Sequence, residues 1–115
     1  MIFLILIFVI HYIADFILQT EWMALNKSLS FSPLLAHVAV YTSALFMAAV
    51  LAVPFEEAFL WAIINGLAHF CVDYFTSRLM RWAREQQKNR LFFQIYGIDQ
   101  TLHYICLFLT LELIL

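Results

Sequence analysis

Charged residues are scarce in this chain of 115 residues, and their scarcity limits the classes of protein it can be. Only 12% of the residues are charged, about half of the roughly 25% that is usual in soluble domains. Hydrophobic residues make up 65% of the chain, and the mean hydropathy is +0.90. A soluble domain of this size could not bury so much apolar surface. We therefore predict one integral membrane domain that covers residues 1–115.

Cysteine and basic residues are also few, and their positions exclude further classes. Cys71 and Cys106 both lie in apolar segments, so a disulfide between them is not expected. Most basic residues lie in one short run from Arg78, which alone gives no reason to expect a nucleic-acid partner. The segment before His11 has no basic residue and no small-residue cleavage site. We expect it to be a retained transmembrane helix rather than a signal peptide.

Four apolar segments predict an all-α protein, a bundle of four transmembrane helices. A helix needs about 20 apolar residues to cross a bilayer, and the segments are close to that length. Pro33 suits the start of the second helix, Pro54 stops it, and Glu56 suits the start of the third. The predicted helices cover residues 2–20, 33–53, 56–80 and 98–115. Residues 81–97 are predicted to form a basic connection, with a short interfacial turn at 91–96.

The distribution of basic residues predicts the orientation of this bundle. All six Lys and Arg residues follow the first or the third helix, whereas the connection after the second helix carries only Glu56 and Glu57. The positive-inside rule then places the basic connections in the cytoplasm and both termini on the non-cytoplasmic side. We expect the basic connection, which includes Trp82, to contact anionic lipid head groups of the bilayer.

Histidine and aspartate residues are paired at a spacing of four inside the apolar segments. Residues four apart lie on the same face of a helix, so each pair presents two polar groups together. The pairs include every aspartate of the chain and three of its four histidines. They are His11 with Asp15, His69 with Asp73, and Asp99 with His103.

The order within the pairs matches the alternating direction of the helices. The pair on the fourth helix reads Asp before His, the reverse of the other two, and the fourth helix also runs in the reverse direction. In an up-down bundle the three aspartates therefore share one layer, and their histidines lie about 6 Å deeper. His37 falls near the aspartate layer. We expect all seven side chains to meet in the cytoplasmic half of the bundle.

A metal ion is the expected source of positive charge for these aspartates. Each aspartate at the centre of a membrane costs about 2.5–3.5 kcal/mol, and no basic residue lies deep in a predicted helix, Arg78 being the nearest. Histidine and carboxylate together bind divalent metals, zinc first, with iron or manganese as alternatives, as one ion or two bridged ions. The expected metal ligands are His11, Asp15, His69, Asp73, Asp99 and His103.

The remaining polar residues of the helices have less specific roles. The aspartates Asp15, Asp73 and Asp99 could also act as a general base. His37 is a fourth ligand, a proton donor or an interfacial histidine. A competing interpretation is that all these polar groups only hydrogen-bond the helices together. A haem is disfavoured, because an acidic pocket suits a porphyrin poorly. The residues expected to support the site are Gln19, Tyr41, Asn65, Ser77 and Gln100.

The same residues form motifs that cover most of the chain. They are His11-x-x-x-Asp15-Phe16-x-x-Gln19, then Lys27, His37 with Tyr41, His69-x-x-x-Asp73-Tyr74 with Ser77-Arg78, and Asp99-Gln100-x-x-His103. In these motifs the chain resembles a bacterial and phage-associated family of small membrane proteins, domain of unknown function 3307. The resemblance implies a multi-pass protein of the bacterial inner membrane and names no reaction. One departure is Thr76, where the family often has a lysine.

Three functions fit these observations. The first is a metal-dependent hydrolase or related enzyme that acts on a lipid or membrane-borne substrate, by analogy with intramembrane metal-dependent hydrolases. The second is a proton or metal-ion transporter or conduit. The third is an accessory structural subunit of a larger membrane complex. A homo-oligomer or larger complex fits all three. The wholly apolar residues 2–10 favour a closed pocket over a path through the membrane.

Overall fold

The computed structural model describes residues 1–114, and these residues form helices joined by short turns, with no β-strand among them. Leu115, which was predicted to end the fourth helix, lies outside the described residues. The elements are α1 at Ile2–Tyr12, a π-helical turn at Ile13–Ile17, α2 at Glu21–Asn26, α3 at Phe31–Ala49, α4 at Phe55–Glu85 and α5 at Asn89–Ile114.

Two of the helices, α3 and α4, are long and apolar enough to cross a membrane, judged by length and composition. Helix α1 and the π-helical turn after it form a shorter apolar helix, Ile2–Ile17. The predicted all-helical class is therefore confirmed, and two of the predicted spans have the length and composition that a span requires. The full set of four spans and its orientation remain predictions.

The predicted first helix, residues 2–20, is interrupted in the structure. After α1 the backbone widens into a π-helical turn, and the helix ends at Ile17. Thr20 then begins α2, because its side-chain oxygen accepts a hydrogen bond from the backbone N–H of Met23 at 3.3 Å. Short π-helical segments commonly occur at functional sites. Here the segment contains Asp15, so it changes the direction of a side chain on which the predicted site depends.

The basic connection predicted at 81–97 is much shorter than expected. Helix α4 continues to Glu85 and α5 begins at Asn89, so only residues 86–88 join the two helices. The backbone of Gln87 is left-handed, with φ of 57°, and the N–H of Lys88 bonds to the carbonyl of Ala83 at 2.8 Å. This is the usual C-terminal motif of a helix. The predicted interfacial turn at 91–96 was wrong, because these residues lie within α5, which continues without a break through Gly97.

The second helix, predicted at 33–53, is shifted towards the N-terminus, to Phe31–Ala49. It packs closely against α4 at Gly66, where a β-carbon would collide with the side chain of Thr42. The small residue allows the two backbones to approach. This contact holds α3 and α4 side by side and places His37 of α3 beside His69 of α4.

The interior and the surface of the bundle have an unusual distribution of polarity. Large apolar side chains are exposed on every helix, and they include Leu6, Met47, Phe75 and Leu109. The interior has an apolar part and a polar part. The apolar core consists of Ile7, Ala14, Tyr41, Leu45, Ala49, Ala58, Trp61, Ala62 and Leu107. The polar part contains every histidine and aspartate of the chain.

Candidate metal centre

The histidines and aspartates predicted to form a site meet in one buried cluster. Each is at most 4% exposed. Four segments supply them: α1 with its π-helical turn, then α3, α4 and α5. Helix packing thus brings together side chains that lie up to 92 positions apart in the sequence, from His11 to His103. The members of the cluster are His11, Asp15, His37, His69, Asp73, Asp99 and His103.

Four of these residues point one ligand atom each at a common centre. The atoms are Oδ1 of Asp15, Nε2 of His37, Nε2 of His69 and Oδ2 of Asp73, all within 4.8 Å of one another. His37 lies 3.0 Å from the Asp15 oxygen and 3.4 Å from the Asp73 oxygen. His69 lies 3.4 Å from each of them. The two Nε2 atoms are 2.9 Å apart.

These separations fit a tetrahedral metal site. A tetrahedron whose centre lies about 2.0–2.1 Å from each ligand atom, as zinc requires, has edges of about 3.3–3.4 Å. Five of the six edges in the protein measure 2.9–3.4 Å. Five of the six separations are therefore close to those around zinc, and the sixth, between the Asp15 and Asp73 oxygens, is within 4.8 Å.

Hydrogen bonds alone satisfy this centre poorly. A neutral imidazole has a single N–H, so only one of the two facing Nε2 atoms can donate when His37 and His69 point at each other. Yet each Nε2 also faces carboxylate oxygens, which accept and cannot donate. The Nδ1 atoms of the same two rings have no hydrogen-bond partner among the described residues. Such a group of acceptor atoms is suited to surround a cation.

His11, by contrast, is satisfied by its neighbours. Its Nδ1 lies 3.0 Å from the hydroxyl of Tyr41, and its Nε2 lies 3.0 Å from Oε1 of Gln100. One neutral tautomer satisfies both contacts, since the hydroxyl then donates to Nδ1 and Nε2 donates to Gln100. The amide of Gln100 also donates to Oδ2 of Asp15 and to Oδ2 of Asp99, at 3.0 Å each. Tyr41 and Gln100, both expected to support the site, therefore contact the cluster directly.

His103 lies between two carboxylates. Its Nε2 is 3.3 Å from Oδ1 of Asp73, and its Nδ1 is 3.5 Å from Oδ2 of Asp99. Neither contact has the geometry of a hydrogen bond. Asp99 is held instead by Gln100 and by Thr76, whose hydroxyl donates to its other oxygen. Asp15 and Asp73 therefore each direct one carboxylate oxygen at the four-atom centre. The other oxygen of Asp15 accepts from Gln100, and the other oxygen of Asp73 faces His103.

Lys27 enters the cluster, so the prediction that Arg78 is the basic residue nearest to the aspartates was wrong. Its Nζ lies 2.8 Å from Oδ2 of Asp73, and its side chain is only 14% exposed. Burial lowers the pKa of this ammonium, but the carboxylates of Asp73 and Asp15 raise it, and the result lies above the usual value. Arg78, expected to be the nearest basic residue, donates instead to the backbone carbonyl of Tyr74.

Helical spacing could not predict that Lys27 belongs to the cluster, although the family motif contains this residue. The residue lies in a polar turn, 46 positions from Asp73, so helical spacing could not connect the two. A lysine has a long flexible stem that lets the ammonium reach back into a bundle from its edge. The family motif did include Lys27, and that was the available indication that it belongs with the histidines and aspartates.

Three residues expected to support the site do not hydrogen-bond to the cluster. Asn65 donates to the carbonyl of Trp61 and to the hydroxyl of Thr110, which links α4 to α5 within the apolar part. The side-chain oxygens of Gln19 and Ser77 are buried and have no hydrogen-bond partner in residues 1–114. Gln19 follows the π-helical turn, so the four-residue spacing from Asp15 no longer places both on one helix face.

The architecture and the cluster define a class: an all-helical protein with apolar helices around a buried centre of His and Asp side chains whose ligand atoms could hold a metal ion. Residues 3–115 match the family described as "Protein of unknown function (DUF3307)", and the chain belongs to that family. No curated protein and no solved structure matches the chain.

Proposed function

We propose that this protein is a membrane-embedded, metal-dependent hydrolase that acts on a lipid or another membrane-borne substrate. Asp15, His37 and His69 would hold the metal, zinc first, and Asp73 lies beside the fourth position, which a catalytic metal keeps open for water. One observation carries the proposal: four ligand atoms from three separate segments converge with nearly tetrahedral spacing. Helix packing does not require such convergence, because van der Waals contacts at small residues and separate interhelical hydrogen bonds provide it.

The apolar surface of the bundle supports a membrane location. Exposed large apolar side chains on every helix, in a chain of this size, mark a surface that meets lipid. Helix α5 has 26 residues and is therefore about 39 Å long, more than the hydrocarbon core of about 30 Å. We propose four spans in the bacterial inner membrane, with both termini outside and the basic residues around the α4–α5 turn in the cytoplasm.

The charge balance of the cluster supports a divalent cation. With neutral histidines, Asp15, Asp73 and Asp99 contribute −3 and Lys27 contributes +1, which leaves −2. An uncompensated charge of this size is costly inside a membrane. One divalent metal ion brings the sum to zero, so Lys27 reduces the need for a metal without removing it.

The proposed ligand set differs from the one expected from the sequence. His37 replaces His11 and His103 beside His69. His11 has both ring nitrogens engaged by Tyr41 and Gln100. His103 faces the outer oxygen of Asp73, where it can orient that carboxylate in the way that outer partners orient metal ligands. Asp99 lies one step further out, behind His103.

The arrangement supports hydrolysis through Asp73 and Lys27. Zinc polarises a carbonyl and lowers the pKa of a bound water. Asp73, which lies beside the open position and is not one of the three metal ligands, would take the proton of the attacking water as the new oxygen–carbon bond forms, and would pass it to the leaving oxygen or nitrogen as the old bond breaks. The ammonium of Lys27, beside the same carboxylate oxygen, places positive charge where the carbonyl oxygen becomes negative.

A second candidate function is an accessory structural subunit whose cluster contains no metal. The ion pair of Lys27 with Asp73 favours it, because the ammonium supplies positive charge from the protein itself. The contacts of Gln100 with His11 and Asp15 also link α5 to the first helix without an ion. A conduit has less support, because Leu45, Trp61 and Leu107 fill the apolar part of the interior.

Elemental mass spectrometry of protein purified in mild detergent without chelator tests the proposal. We expect about one metal ion per chain in the wild type, the number that one tetrahedral site holds. His37→Asn and His69→Asn remove a ligand each and reduce the metal to background. His11→Asn is the matched control, because His11 lies outside the proposed ligand set. The change should weaken the affinity for the metal by no more than about 10–100-fold.

The two ligand sets give opposite results for this control. Metal lost in His11→Asn and kept in His37→Asn would support the set expected from the sequence and contradict the one proposed here. Wild-type protein without metal would remove the hydrolase and leave the structural subunit. Gel filtration and circular dichroism of each variant separate loss of metal from loss of fold.

A further inference from the structure

An apolar cavity of about 350 Å³ lies beside the cluster, between α1, the end of α3 and the facing parts of α4 and α5. We propose that it binds one acyl chain of a membrane lipid. The inference rests on the membrane location and, where it names a substrate class, on the proposed hydrolase. Its lining includes Phe3, Ile10, Ile13, Ala48, Ala52 and Trp61.

The chemistry of the lining selects a hydrocarbon ligand. All of the lining side chains are aliphatic or aromatic, and the one polar side-chain group among them in residues 1–114 is the indole N–H of Trp61, which is buried and has no hydrogen-bond partner there. A polar ligand would lose its hydration there and gain at most this one side-chain donor. The volume falls within the range of about 300–1,000 Å³ that small-molecule sites occupy.

The cavity is elongated along α1. Its lining residues on that helix extend from Phe3 to Ile13 at the beginning of the π-helical turn, ten positions or about 15 Å of helix. An elongated apolar space fits an extended hydrocarbon chain better than a compact ligand. Phe3, Leu6 and Leu51 are exposed, whereas Ile7 and Trp61 are buried beneath them. A chain can therefore enter sideways from the bilayer.

The cavity comes nearest to the cluster in the chain around His11, although no histidine or aspartate of the cluster lines it. Ile10 and Ile13 line the cavity and lie on either side of His11 in the chain. On α4, Trp61 precedes His69 by eight residues, or about 12 Å, and Lys27 contacts the cluster on the far side, at Asp73. An acyl chain in the cavity would thus lead towards the metal ligands, with Lys27 beyond them. This order matches an acylated lipid whose ester or amide linkage meets the cluster.

Native mass spectrometry tests the acyl-chain site without requiring turnover. The protein is purified in mild detergent, exchanged into a second detergent, and incubated with palmitoyl-oleoyl phosphatidylethanolamine. We expect about one lipid to survive per chain, since the cavity is a single site. Ala48→Phe on α3 and Ala52→Phe in the turn after α3 each place a ring in the cavity, and each should reduce retained lipid to background. Ala39→Phe makes the same change on α3 in a separate, more open surface groove and should leave the retained lipid unchanged.

Three outcomes would overturn the site. Equal lipid retention in Ala48→Phe, Ala52→Phe and wild type would show that lipid binds elsewhere. If several lipids are retained and are lost in proportion to the detergent added, they form only a boundary layer around the protein. A dimer in wild type that becomes a monomer in Ala48→Phe would show that a second copy fills the cavity. His69→Asn is measured beside them: retained lipid without metal supports the acyl-chain site even if the metal centre fails.

Discussion

The apolar part and the polar part of the interior are built from the same helices, but their packing depends on different properties of the side chains. In the apolar part Leu45, Trp61 and Leu107 fill space, and any side chain of similar shape would serve. In the polar part each carboxylate oxygen has particular partners, and removing one partner leaves a buried charge uncompensated. Stability should therefore be sensitive to chemistry in the polar part and to volume in the apolar part.

The largest effect is expected from Lys27→Met. The change leaves Asp73 without its ammonium, and breaking a buried pair costs about 3–5 kcal/mol, which partial exposure of Lys27 reduces to about 2–4 kcal/mol. Thermal unfolding in detergent measures it, with and without added zinc. Because a cation would replace part of the missing charge, the loss should be smaller in the presence of zinc. Equal losses under both conditions would contradict a shared centre for Lys27 and the metal.

An intermediate effect is expected where α3 meets α4. Gly66→Ala places a methyl group against Thr42, and overpacking of this kind costs about 1–3 kcal/mol. Thr42→Ala should restore most of the stability in the double variant, because the obstruction is the threonine side chain. The midpoint of unfolding of the four proteins forms a double-mutant cycle. Additive losses would show that the two residues are not in contact.

The smallest effect is expected from Asn65→Ala, which removes a hydrogen bond to Thr110 in the apolar part. Hydrogen bonds between membrane helices contribute about 0.6 kcal/mol on average. Metal content should be unchanged, since Asn65 makes no contact with the cluster in the described hydrogen-bond network. Elemental analysis beside the unfolding measurement decides this. Loss of metal in Asn65→Ala would show that Asn65 supports the metal site, as expected from the sequence.

Part of the candidate site could be predicted from helical spacing. His11 with Asp15, and His69 with Asp73, are polar pairs on otherwise apolar helices, and such faces turn inward because an apolar exterior cannot solvate them. The same reasoning failed for Asn65, which has helical spacing to His69 yet bonds to Thr110 on α5. Spacing describes a face of one helix and contains no information about what lies opposite.

The sequence by itself determined that the chain is helical, that its surface is apolar and that its histidines and aspartates lie inside. These properties follow from local periodicity and from the cost of exposing or burying each side chain. The tertiary structure decided which atoms meet. The contact of His37 with His69, the turn that redirects Asp15 and the reach of Lys27 to Asp73 depend on how separate segments pack, and packing distances between segments are not encoded in the spacing within any one of them.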